Sequence, residues 1–87
     1  MKTNYYEVNF EYKRVMGDAH TVYYNDECGF VDPIEAFQHV NECKRKAINM
    51  WVEDDFKNFE IGVWYYDADG CMHQLITLTS KHGEYWA

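Results

Sequence analysis

Eighty-seven residues make one small domain, 1–87, and leave no room for a second. Aromatic side chains reach 18% of the chain, a composition that excludes ordinary disorder. Fifteen Asp and Glu against eight Lys and Arg give a formal charge of −7, which opposes nucleic acid and favours a basic protein surface.

Residues 4–14 alternate strictly. Tyr6, Val8, Phe10 and Tyr12 fall on one face, and Tyr5, Glu7, Asn9, Glu11 and Lys13 on the other. That period predicts a strand with one buried face. Met16-Gly17-Asp18 reads as a turn, and AHTVYY at 19–24 as a second, β-branched and aromatic strand. The polar stretch 25–31, with Gly29 in it, reads as a loop. A helix start follows. Asp32 suits the N-cap, Pro33 the first helical position and Glu35 the third position of a capping box, with Val31 placed to pack on Ala36. Ala36, Phe37, Val40, Cys43, Ala47, Met50 and Trp51 then form an apolar stripe at helical spacing. Glu53-Asp54-Asp55 ends it.

Residues 59–66 predict a third strand, with Ile61, Val63 and Tyr65 on one face and Gly62, Trp64 and Tyr66 on the other. Asp69-Gly70 is a strong hairpin signal. Residues 71–79 predict a fourth strand, with Met72, Ile76 and Leu78 facing the core. Residues 81–87 are a tail or a short edge strand, and Tyr85-Trp86 either packs back or stays free. The expected architecture is α+β: a two-layer, β-β-α-β-β antiparallel sheet with one helix on one face. Parity then leaves Tyr5, Glu7, Asn9, Glu11, Trp64, Tyr66, His73, Leu75 and Thr77 on an uncovered face.

The same topology predicts a gathering of chemistry. The loop at 25–32 and the turn at 67–70 should share one end of the domain, bringing Asp26, Glu27, Asp32, Asp67 and Asp69 together. The doublets Tyr5-Tyr6, Tyr23-Tyr24 and Tyr65-Tyr66 are expected at that end too. Tyrosine offers rigid area with a polar tip, and carboxylates complement Arg and Lys. The candidate partner-binding residues are therefore Tyr5, Tyr23, Asp26, Glu27, Asp32, Trp64, Tyr66, Asp67 and Asp69.

Reactive chemistry is poorly supported. Asp67-Ala68-Asp69-Gly70 places its glycine at position 4 of a would-be calcium loop and Leu78 at position 12, which fails the EF-hand pattern. Cys28, Cys71, His73 and His20 lack the spacing of a zinc site. Asp69, Cys71 and His73 supply residue types for a thiol nucleophile, but alternation on a strand produces such trios by chance. No catalytic residue, metal or cofactor is expected, and the chain reads as a non-enzyme. Lys44-Arg45-Lys46 spreads around the helix near its C-terminal end, where the helix dipole favours cations. Three cysteines, Cys28, Cys43 and Cys71, cannot form a complete internal disulfide set, so reduced thiols and a cytoplasmic setting are expected. The opening MKTNYYEVNF lacks the apolar segment of a signal peptide, and no stretch approaches the ~20 apolar residues of a membrane span.

The alternating NYYEVNFEYKR, the capped helix from DPIEAF and the hairpin IGVWYYDADGCMHQLITL together resemble, as architecture, the small acidic inhibitors of phages and mobile elements, notably anti-CRISPR proteins. That resemblance implies a non-catalytic, phage-type inhibitor in the host cytoplasm, one that occupies a basic surface of a nucleic-acid-handling complex without touching nucleic acid or membrane. The alternatives are a homodimeric regulatory or structural module, paired through the uncovered sheet face, and a small-ligand or metal binder near Cys71 and His73.

Overall fold

The computed structural model describes residues 4–15, 21–54 and 56–87. Its elements run β1 (Tyr5–Val15), β2 (Thr21–Phe30), α1 (Pro33–Asp54), β3 (Lys57–Tyr66) and β4 (Met72–Ser80). The strands form one antiparallel sheet in the order β2-β1-β3-β4, and α1 connects β2 to β3 across β1. The fold is α+β, as the alternation and the single helical stripe predict.

The helix begins where local chemistry places it. The Asp32 carboxylate accepts a 2.9 Å bond from the Ile34 amide, and the Ala36 amide donates to the Asp32 carbonyl at 3.1 Å. Val31 stays exposed, so the expected staple onto Ala36 is not made. At about 1.5 Å per residue the 22-residue helix matches the length of ten-residue strands at about 3.3 Å each. Ala36, Val40, Cys43 and Ala47 are buried against Val8 and Phe10 of β1 and Phe59, Ile61 and Val63 of β3. Met50 and Trp51 pack at the margin, whereas Phe37 of the same stripe is exposed. The helix thus covers the two central strands on one side, and among the described residues no element forms a second layer on the opposite side of the sheet.

Two expectations are corrected, and one that the sequence left open is decided. First, 25–30 is strand rather than loop. Every residue from Thr21 to Phe30 faces a partner between Val15 and Tyr6, so β1 supplies the order that a polar local sequence lacks. Second, β4 carries an extra residue. Val63 faces Ile76 but Trp64 faces Gln74, which leaves Leu75 as a β-bulge. Beyond it the parity reverses: Met72 joins Tyr66 on the uncovered face, and His73 moves to the helix side beside Tyr65, with ring centroids 6.1 Å apart. The open alternative at 81–87 falls to the edge pairing. Ala87 and Thr79 exchange two backbone bonds of 3.0 and 3.1 Å, and Trp86 packs on the core while Tyr85 projects outward.

A second bulge lies in β3, where Tyr12 faces Phe59 but Lys13 faces Lys57. The extra residue, Asn58, has φ 63°, a conformation asparagine tolerates better than most residues, and its amide donates to the Lys81 carbonyl at 3.2 Å. The expected turn at Met16-Gly17-Asp18 and the candidate His20 lie outside the described residues, as does Asp55.

Candidate interaction surface

The register maps the uncovered face row by row. Tyr5, Tyr66 and Met72 form the first row; Gly29, Glu7, Trp64 and Gln74 the second; Glu27, Asn9, Gly62 and Thr77 the third. Asn25, Glu11, Glu60 and Thr79 form the fourth, and Tyr23, Lys13 and Lys57 the last. Each row follows from alternation, because paired residues of neighbouring strands point to the same side.

At the first end, aromatic packing dominates. The Tyr5 and Tyr66 rings lie 5.6 Å apart. Tyr5 folds across Gly29 so closely that a side chain there would meet its ring and hydroxyl. The Tyr66 hydroxyl makes a long 3.5 Å contact with Glu7, and partial desolvation, then that carboxylate, hold its phenol above the ordinary range.

The middle rows carry four carboxylates, Glu7, Glu27, Glu11 and Glu60. Glu11 and Glu60 face each other directly. Desolvation first, then a hydrogen bond and repulsion from Glu60, raise the Glu11 carboxyl above its ordinary value. Beside them lies a hollow of about 190 Å³ over Gly62, also lined by Asn9, Trp64 and Thr77. The Asn9 Oδ1 atom is sealed from solvent and has no hydrogen-bond partner among the described residues. The hollow meets, at Glu11 and Glu60, a groove of about 900 Å³ running toward Tyr23, Lys13, Lys81 and Tyr85. Tyr23 and Tyr85 are 73% and 86% exposed.

The nine candidate residues divide on this map. Tyr5, Tyr23, Glu27, Trp64 and Tyr66 all occupy the uncovered face. The three doublets do not share an end, however. Tyr23 and Tyr24 face Lys13 and Tyr12, whereas Tyr5-Tyr6 faces Tyr66-Tyr65 at the opposite end. The reason is the unexpected length of β2, which continues six residues past Tyr24. Each doublet still splits one ring to each side. Tyr6 packs on Tyr65 at 5.1 Å, and Tyr24 stacks on Tyr12 at 5.3 Å with Phe56 edge-on to both.

The acidic end is likewise smaller than expected. Asp26 faces Phe10 on the helix side in mid-strand and accepts a 3.2 Å bond from the Tyr12 hydroxyl; Glu27 faces Asn9 in the third row. Asp32, Asp67 and Asp69 remain near the Tyr6–Tyr65 end, but two of them are occupied. Asp32 caps the helix. Asp67 organises the hairpin, accepting from the amides of Asp69 and Cys71 at 2.9 and 3.0 Å and pairing with His73 Nε2 at 3.2 Å. The His73 bond, then the Cys71 amide, lower its carboxyl below the usual range.

Reactive groups do not converge. The three thiols are free, and burial pushes the Cys43 thiol up to about 11, away from the nucleophilic thiolate. Among the described residues no group of three metal-ligating side chains occurs, and no helix is long and apolar enough to cross a membrane. Sequence reasoning missed Glu60, Gly62 and Asn9 as a cluster. The strand order brings them together, and their only sequence signal is shared parity on β1 and β3. The chain matches no protein-family model, no curated protein and no solved structure.

Proposed function

We propose that this chain is a non-catalytic binding protein that uses its uncovered sheet face to occupy a basic surface of a nucleic-acid-handling complex, as the anti-CRISPR resemblance implies. The observation that carries this reading is the layout of that face. Four glutamates run across its middle, flanked by Tyr5, Trp64 and Tyr66 at one end and Tyr23 at the other. Aromatic anchors with a carboxylate field suit a protein surface rich in Arg and Lys, the kind that otherwise holds phosphates. The same layout disfavours a second copy, because stacking two such faces brings glutamates against glutamates. A cytoplasmic setting accords with three free thiols.

Affinity purification of a tagged chain from its native background tests the proposal. A partner captured by the wild type and released by salt should be lost with Glu27→Lys, a substitution at an exposed position of the face. Retention by Glu7→Lys and Glu27→Lys alike would remove this face from the function.

A further inference from the structure

We infer that the hollow over Gly62 is a receptor for one arginine side chain of the basic partner, with the adjoining groove receiving the chain that carries it. This rests on the proposed reading of the face and adds the recognised group to it. Four features define the occupant. The hollow is formed because Gly62 has no side chain; a Cβ there would touch only the Trp64 ring, at 3.5 Å from Nε1. Its charged lining is two facing carboxylates, Glu11 and Glu60, beside the polar side chains of Asn9, Gln74 and Thr77. Trp64 supplies an aromatic wall. The opening leads into a groove flanked by Tyr23 and Tyr85.

A guanidinium fits that set. It is planar, offers five donors and no acceptor, and stacks on indole. A lysine ammonium offers a point charge with three donors and no plane to lay on Trp64. The free protein bears the cost of this arrangement, since like charges directly opposed on a sheet and a buried unpaired acceptor both destabilise it. A bound arginine relieves the first by neutralising the carboxylate pair. It also competes with the proton, which desolvation and Glu60 make Glu11 hold more tightly, so affinity should rise as pH rises through the Glu11 titration. The other charged groups facing Glu11 are Glu60 and Lys57 from β3, Glu27 from β2, Lys13 on its own strand and Lys81 beyond β4.

The test is an NMR titration of the ¹⁵N-labelled chain with a capped peptide containing two arginines, alongside lysine and citrulline versions. Saturable shifts at the Asn9 and Gly62 amides and the Trp64 indole N–H are expected, weaker with lysine and absent with citrulline. Glu60→Gln should weaken arginine binding about tenfold. Gly62→Ala, which fits the fold, should weaken it by partly filling the hollow. Equal response to all three peptides, or shifts confined to other positions, would overturn the assignment. The two readings separate cleanly. Partner capture that depends on Glu27, together with an unresponsive hollow, rejects the arginine receptor and leaves the binding face standing. Arginine binding at the hollow, with capture indifferent to the whole face, supports the receptor and rejects the partner reading.

Discussion

The two faces of the sheet share strands, register and backbone, yet they solve opposite problems. The helix side buries Val8, Phe10, Phe59, Ile61 and Val63 under Ala36, Val40, Cys43 and Ala47. The other side alternates into Glu7, Asn9, Glu11, Glu60 and Trp64, with none of the described elements over them. On the first face each side chain improves the fold. On the second, several side chains make it worse, including an opposed carboxylate pair and an acceptor with no donor among the described residues. Residues that the fold would be better without are where a binding role is most economically sought.

Truncation separates the faces most strongly. Ile61→Ala removes a fully buried side chain and should cost about 2–5 kcal/mol. For a domain this small that is a large part of the total, so urea unfolding should show a collapsed midpoint or an unfolded chain. Trp64→Ala, one position outside Val63 and pointing the other way, removes a partly exposed ring and should cost about 1 kcal/mol. Comparable losses from both would mean that the second face is covered in the native state, and that the contrast drawn between them is false.

Glycine substitutions sharpen the comparison. Gly83 is buried, has φ +78°, and an added Cβ would stand 2.7 Å from the Ala47 carbonyl carbon of the helix backbone. Backbone cannot step aside. Gly83→Ala should therefore cost about 1–3 kcal/mol and loosen the tail held by the Ser80 and Trp86 bonds to this residue. Gly29→Ala meets only the Tyr5 ring on the uncovered face, and that ring can swing outward. Its stability effect should be the smaller of the two, while its effect on partner binding should be the larger. Thermal melts and capture assays on the pair check both halves.

How much of this was legible in the chain follows from which forces are local. The helix start at Asp32-Pro33 depends on residues within one turn, and it stands where the sequence places it. The alternation of β1 and β3 reports burial directly, so the core was readable as well. Asn25 to Gly29 was not, because a polar edge strand owes its order to β1, whose paired residues lie fourteen or more positions away. The Leu75 bulge was equally hidden. It inserts one residue without any Gly or Pro to mark it, and it sends Met72 and His73 to the sides opposite to those parity assigns. The candidate site suffered most, since Glu11 and Glu60 become neighbours only once β1 and β3 pair.

The smallest expected effect is the most diagnostic, because its sign inverts between the faces. Glu11→Gln keeps shape and hydrogen bonding while removing one of two opposed charges. Glu11 has a folded-state pKa above its ordinary value, so the folded state binds its proton more tightly than the unfolded chain does. That contribution is fully present below the ordinary carboxylate range, near pH 4, and is lost as pH rises through the folded value. At pH 7 the wild type therefore carries an unrelieved repulsion, and Glu11→Gln should be more stable by about 0.5 kcal/mol. The advantage should shrink as pH falls toward about 4, where the wild type regains its proton. Paired urea titrations at the two pH values measure it, and a variant less stable at pH 7 would show Glu11 to be a structural residue. A stabilised variant that also binds the arginine peptide more weakly would show stability given up on this face for recognition.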